Sequence, residues 1–217
     1  MISEIFGLCG SGKSLLLGFL ADRAVRDKNV NFRGLRVSSH RHYNYVLTNF
    51  DCFGCYKLDF ESLGYADYHD CLMIIDEIML LADCRNFKMF GENLKIFFSQ
   101  HRKKHIDIIY ATQAHDDVDK KIRNVTDNLY YIDNFPFNIM RVRRIQPCFN
   151  INSASVSYEY ARASEDVFFF RSKLYKLVNS YDIINNNKEK YFNQPVKFER
   201  WDNDFEINEE KESEESV

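Results

Sequence analysis

The sequence predicts an α/β fold, a three-layer sandwich built on a mainly parallel sheet with a C-terminal antiparallel extension. Three observations predict it. Residues 7–14 read Gly-Leu-Cys-Gly-Ser-Gly-Lys-Ser, a glycine-rich phosphate-binding pattern set directly after the apolar positions Ile2, Ile5 and Phe6. The continuous apolar run 71–75 ends in Asp76-Glu77, as a central parallel strand covered on both faces would. Strand-like and helix-like segments alternate as far as Phe135, after which strand-like segments follow one another without long helices.

The elements follow in order. The first strand leads through the glycine-rich loop into a helix that begins near Lys13, carries Leu15, Leu16, Leu17, Phe19 and Leu20, and ends before the polar stretch 27–31. Residues 45–48 form a strand, and Cys52 and Cys55 then sit in a hairpin. After the strand 71–75, apolar Phe87, Phe90, Leu94, Phe97 and Phe98 recur at helical spacing, with Lys95, Gln100, Arg102 and Lys103 on other faces, predicting an amphipathic helix over 87–104. Residues 106–112 form another buried strand closed by Gln113, 117–125 a short helix and 129–132 one more strand. Segments 139–145, 154–160 and 168–170 supply the antiparallel extension.

The chemistry of the loop explains its residue types. Gly7 and Gly12 lack Cβ atoms, so backbone N–H groups turn inward around the β-phosphate of a nucleotide. Cys9, Gly10, Ser11 and Leu15 complete this cradle, Lys13 neutralises the β- and γ-phosphates, and Ser14 offers its hydroxyl to Mg²⁺. Asp76, at the end of its strand, orients Mg²⁺ across from Ser14; the chain therefore reads as a P-loop NTPase. Glu77 follows that aspartate directly and is placed to polarise a water in line with the γ-phosphate, which points to hydrolysis. Gln113 ends the next parallel strand on the same sheet edge and is the candidate γ-phosphate sensor. Arg85, Arg102 and Arg123 follow the carboxylates, and one of them would complete a neighbouring subunit's site. His101, His105 and His115 form no metal or catalytic pair by spacing.

Bulk composition narrows the class. The chain has 217 residues, 45 % hydrophobic and 28 % charged, with 19 Phe and 13 Tyr, enough for one domain with a sizeable core. We expect that domain to span 1–184, with the antiparallel extension at 135–182 and a polar, acidic tail at 185–217. From Asp202 onward eight acids face one base, so the net charge of −3 divides into −7 on the tail and +4 on the rest. Such a tail is expected to be disordered. No run approaches the ~18 apolar residues of a membrane span, and no signal peptide precedes the first strand. These features predict a cytoplasmic protein. Six scattered cysteines fit free thiols, because no second C-x-x-C or His pair joins Cys52, Cys55, Cys71 and Cys84 at zinc-ligand spacing.

Several motifs together resemble the zonular occludens toxin (Zot) family. They are the loop 7–14, the strand end Leu-Thr-Asn-Phe at 47–50, Ile-Ile-Asp-Glu at 74–77, Arg85, Ser-Gln-His-Arg at 99–102, Ile-Ile-Tyr-Ala-Thr-Gln at 108–113, Val-Asp-Lys-Lys-Ile-Arg at 118–123 and the late stretch 174–181. The likeness covers about residues 1–182. It implies an additional-strand P-loop NTPase related to FtsK/HerA-type DNA pumps, acting as a filamentous-phage assembly ATPase. In that reading the enzyme drives extrusion of single-stranded DNA at the inner membrane. It also implies Lys13 and Ser14 as the nucleotide-loop pair, Asp76 as the metal-orienting acid, Glu77 as the water-activating acid and Gln113 as the sensor. Family members commonly carry a transmembrane segment after the ATPase domain, where this chain has its acidic stretch. We therefore expect a homo-oligomer that is peripheral at the inner face of the membrane and held there by a membrane-bound assembly partner, with single-stranded DNA as a further candidate partner. A small-molecule or nucleic-acid kinase and a nucleotide-switched adaptor are the alternative functions.

Overall fold

The computed structural model describes residues 1–32, 34–82, 91–152, 155–162, 166–174 and 200, with 147–152 and 155–162 described by backbone alone. Nine strands form a single mixed sheet: β1 (Ile2–Phe6), β2 (Tyr45–Thr48), β3 (Tyr56–Lys57), β4 (Cys71–Ile75), β5 (Asp107–Thr112), β6 (Asn128–Phe135), β7 (Ile139–Asn152), β8 (Ser155–Arg162) and β9 (Val167–Phe170). Their order is β3-β2-β4-β5-β1-β6-β7-β8, with β9 also paired to β7. Neighbours from β3 to β6 are parallel, and β7, β8 and β9 pair antiparallel. β5 lies between the strand that leads into the glycine-rich loop and the strand that ends in Asp76.

The central strand β4 reads as an unbroken apolar run because both of its faces are covered. Leu72 and Ile74 of β4 and Ile109 and Ala111 of β5 pack toward α1 (Lys13–Val25), against Leu16, Leu17 and Leu20. Cys71, Met73 and Ile75, with Ile108 and Tyr110, pack the other way, against Leu94, Phe97 and Phe98 of α3 (Glu92–Gln100) and Ile122 of α4 (Lys120–Arg123). This is the expected three-layer arrangement. A further short helix, α2 (Met79–Ala82), follows β4. The extension is pinned to α1 by aromatic contacts, Phe169 of β9 lying 5.5 Å from Phe19 and 5.8 Å from Phe32 between ring centroids.

Some expectations change. The Cys52–Cys55 segment is not a hairpin: β2 and β3 are parallel, and the loop doubles back so that Leu47 pairs with Tyr56. The turn is made at Gly54, which has φ +81° and would place a Cβ 2.4 Å from Val25. The helix expected over 117–125 is divided, because Val118 is extended and Asp119 caps α4 by accepting the Lys121 N–H at 2.7 Å. The helix expected over 87–104 is α3 followed by a 3₁₀ turn at His101–Lys104, and it stops where His105 enters the left-handed region at φ +56°. Its first residues, including Phe87 and Phe90, lie outside the described residues, as do Cys84, Arg85, the stretch 175–181 and the acidic tail. β7 extends past the expected end at Ile145 to Asn152.

Candidate nucleotide site

β1 delivers the chain at the C-terminal edge of the parallel strands, where residues 7–12 form the loop and α1 begins. Close packing explains the glycines. A Cβ on Gly7 would lie 2.2 Å from the Ile132 carbonyl oxygen, and one on Gly12 would lie 2.8 Å from Met140 Sδ at a backbone φ of +103°. Gly10 meets no neighbour, and its φ of +72° alone selects glycine. The Ser11 N–H bonds the Leu8 carbonyl at 3.1 Å, which closes the turn. Gly12 caps α1 without a side chain, so the helix N-terminus opens onto the loop and its free N–H groups favour an anion there. The Leu15 side chain is in the core, which leaves only its backbone for a ligand.

Lys13 is mostly buried, and its Nζ donates to the Gly7 and Leu8 carbonyls at 2.8 and 3.2 Å. Burial lowers its pKa, while the charges of Asp76, Cys9 and Glu77 pull it back up. Ser14 Oγ donates to Asp76 Oδ2 at 2.5 Å, bringing together two residues 62 positions apart. Burial raises the Asp76 carboxyl pKa against the lowering effects of the Ser14 bond, the Glu77 N–H and Lys13. A hydroxyl and a carboxylate oxygen in contact at a phosphate loop suit a hard divalent cation with oxygen ligands, so these residues fit Mg²⁺.

Glu77 is exposed and stands in the left-handed region at φ +52°. Its N–H bonds Asp76 Oδ1 at 3.0 Å, and the next amide, Ile78 N–H, bonds the Ala111 carbonyl of β5 at 2.9 Å. Held from both sides in an unfavourable conformation, Glu77 is turned off the strand direction. Gln113 is exposed and follows Thr112, which is in register with Phe6, so Gln113 is level with Gly7.

The zonular occludens toxin (Zot) family matches residues 7–181. The chain belongs to the Zot family. Among solved structures, it is similar to the N-terminal domain of zonular occludens toxin from Neisseria meningitidis, at 16 % identity over 82 % of this chain and 98 % of that one, with a TM-score of 0.48. The genome packaging NTPase B204 from Sulfolobus turreted icosahedral virus 2, solved with ATP-gammaS, is 12 % identical over 72 % of this chain and 95 % of its own, with a TM-score of 0.42. The flagellar accessory protein FlaH from Methanocaldococcus jannaschii is 13 % identical over 74 % of this chain and 89 % of its own, with a TM-score of 0.39. No curated protein matches the chain.

Of the candidate arginines of this Zot-family chain, Arg102 and Arg123 are described, and both are engaged away from the loop and carboxylates. Arg102 pairs with Asp127, which also accepts the Ile2 N–H at 2.8 Å at the start of β1. It therefore stands at the opposite end of β1 from the loop, about 17 Å of strand away, and reaching a neighbour's nucleotide would cost it that ion pair. Arg123 pairs with Asp116 at 2.7 Å. Among the described residues, no group of three or more His, Cys, Asp or Glu side chains is arranged to hold a metal, and no helix is long and apolar enough to cross a membrane.

Three further features support the loop and the Asp76 carboxylate, and of their residues Asn49 alone falls in a stretch the sequence marked, 47–50, though with no role assigned to it there. Asn49, just past β2, accepts the Asp76 N–H at 2.7 Å and donates to the Asp76 carbonyl at 2.8 Å, fixing the residue that bears the carboxylate. Beneath the loop, buried Glu4 of β1 accepts the Tyr110 hydroxyl at 2.8 Å, and its Oε2 lies 2.8 Å from His115 Nδ1. That network ties the segment just beyond Gln113 to the strand that carries the loop. Arg171, from the extension, contacts the loop's outer side.

Proposed function

We propose that the chain binds ATP with Mg²⁺ at residues 7–15 and hydrolyses it, and that the turnover drives assembly of a filamentous phage or mobile element and export of its single-stranded DNA at the inner membrane. The contact between Ser14 and Asp76, with Glu77 turned off the strand beside them, is the observation that carries the chemistry. In this reading the loop amides and Lys13 hold the β- and γ-phosphates, and Lys13 exchanges its bonds to Gly7 and Leu8 for phosphate oxygens. Bound Mg²⁺ would be held by Ser14, with Asp76 orienting it, and would supply charge neutralisation at the phosphates. Glu77 takes the proton from the attacking water, and Gln113 reports the presence of the γ-phosphate across the β1–β5 edge. Family membership supports the motor reading, and Arg85 or Arg102 of a second subunit would serve as the transition-state cation.

The test separates binding from chemistry. Lys13→Ala is expected to weaken ATP binding, while Glu77→Gln retains binding and slows phosphate release by at least ~10²-fold. Equal turnover in wild type and Glu77→Gln removes the proposed role of Glu77. Stimulation of turnover by single-stranded DNA is expected for the motor and not for a nucleotide-switched adaptor.

A further inference from the structure

We infer that Arg171 is a positioning residue for the nucleotide's β-phosphate, acting from the antiparallel extension through a peptide bond of the glycine-rich loop. The inference rests on the nucleotide reading of that loop. Arg171 directly follows β9, and its backbone is fixed on both sides: its N–H bonds the Asn138 carbonyl at 3.1 Å, and its carbonyl accepts from Leu174, which is buried in the core. The guanidinium extends across to the loop. Its Nη2 donates to the Ser11 carbonyl at 2.5 Å and to the side-chain oxygen of Asn134. Nη2 and Nε lie 3.5 and 3.6 Å from the position that a Cβ on Gly12 would take, so the guanidinium packs against that glycine.

The electrostatics fit this placement. Nε is buried without a hydrogen-bond partner, and among the described residues Arg171 forms no ion pair with a carboxylate. Positive charge is thus left uncompensated beside the outer wall of a phosphate loop. The Ser11 carbonyl and the Gly12 N–H belong to one peptide unit, whose two ends point in opposite directions. A charged donor on the carbonyl polarises that unit and strengthens the N–H as a donor. Among the described residues the Gly12 N–H has no protein acceptor. Arg171 therefore holds the loop open to the β-phosphate and sharpens one of its donors, while its own guanidinium remains outside the phosphate cradle.

The experiment compares ATP, ADP and AMP binding by calorimetry in wild type, Arg171→Ala, Arg171→Lys and Lys13→Ala. Arg171→Ala is expected to weaken ATP and ADP binding by about 10-fold and AMP binding by less than about 2-fold, since AMP has no β-phosphate. Arg171→Lys keeps the charge and is expected to recover part of the loss. Turnover at saturating ATP is expected to stay within about 3-fold of wild type, so that the effect falls on KM. Unchanged ADP affinity in both Arg171 variants overturns the inference, as does equal weakening of all three nucleotides, which would mark general damage to the loop. A wild-type protein that binds neither ATP nor ADP overturns the nucleotide reading itself.

Discussion

Asp76 illustrates how a site residue opposes the stability of its own fold. Burial raises its pKa, so the native state binds the proton more tightly than the unfolded chain does. The stability from this group is complete below the ordinary carboxylate value of about 3.9 and is lost as pH rises through the higher native value. Above its raised native pKa, the nucleotide-free protein carries Asp76 as an ionised acid that folding disfavours. Asp76→Asn is therefore expected to raise the melting temperature of the nucleotide-free protein at pH 7, with the difference shrinking toward pH 4, and to abolish hydrolysis. Cys9 gives a second residue-level prediction. It is exposed in the loop, whereas Cys52, Cys55 and Cys71 are buried, so a maleimide should label Cys9 first among these four. Labelling should block ATP binding, and prior ATP should slow it; labelling at the same rate with and without ATP would place the nucleotide elsewhere.

At the scale of elements, β5 is anchored at its start as firmly as the site is at its end. Asp107, fully buried, would have its pKa raised by burial, but the chain's terminal ammonium, Ser39 and Tyr43 outweigh that and hold it at about 2. A depressed native value places this stability above about pH 3.9 and removes it as pH falls toward 2, a change of about 2–3 kcal/mol. Asp107→Asn should flatten the acid limb of the stability curve between pH 4 and 2 and lower stability at pH 7, as measured by urea titration. The hairpin between β6 and β7 offers the opposite case. Phe137 is 90 % exposed and sits at φ +64°, a left-handed conformation that costs a bulky residue about 1–2 kcal/mol. Phe137→Gly removes the strain and little packing, so it is expected to stabilise by up to about 1 kcal/mol after the added unfolded-state entropy. A less stable variant would show that the ring is packed against something in solution.

For the whole molecule, what the sequence announced was local and what it concealed was distant. The loop, β4 with its Asp-Glu end and β5 were legible because a buried parallel strand is a continuous apolar run and a phosphate loop needs its glycines in fixed order. The hydroxyl and acid of Ser14 and Asp76 were expected to face each other from motif order alone, and they do. Nothing nearby marks Arg171, whose contact with Ser11 spans 160 positions, and the stretch 47–50 stands out without revealing that its Asn49 acts on the backbone of Asp76. β3 is two residues long and gives no periodicity to read. The sequence predicts a strand that stops at Ile145, two residues before Pro147; β7 continues past it on its pairing with β8, and Pro147 is tolerated because β6 begins at the level of Ile145 and among the described residues no strand pairs with that edge of β7 beyond it.

That continuation gives β7 a mechanical character. Its first residues pair with β6 and β9 at the edge where Arg171 meets the loop, and its last seven pair with β8 beyond the level at which β6 begins. A strand of this length spans about 46 Å, of which about 23 Å is a two-stranded arm projecting from the sheet edge opposite the nucleotide loop. By geometry alone, a rotation of about 10° at Gln146 carries the far end of such an arm by about 4 Å, a displacement the size of a side chain.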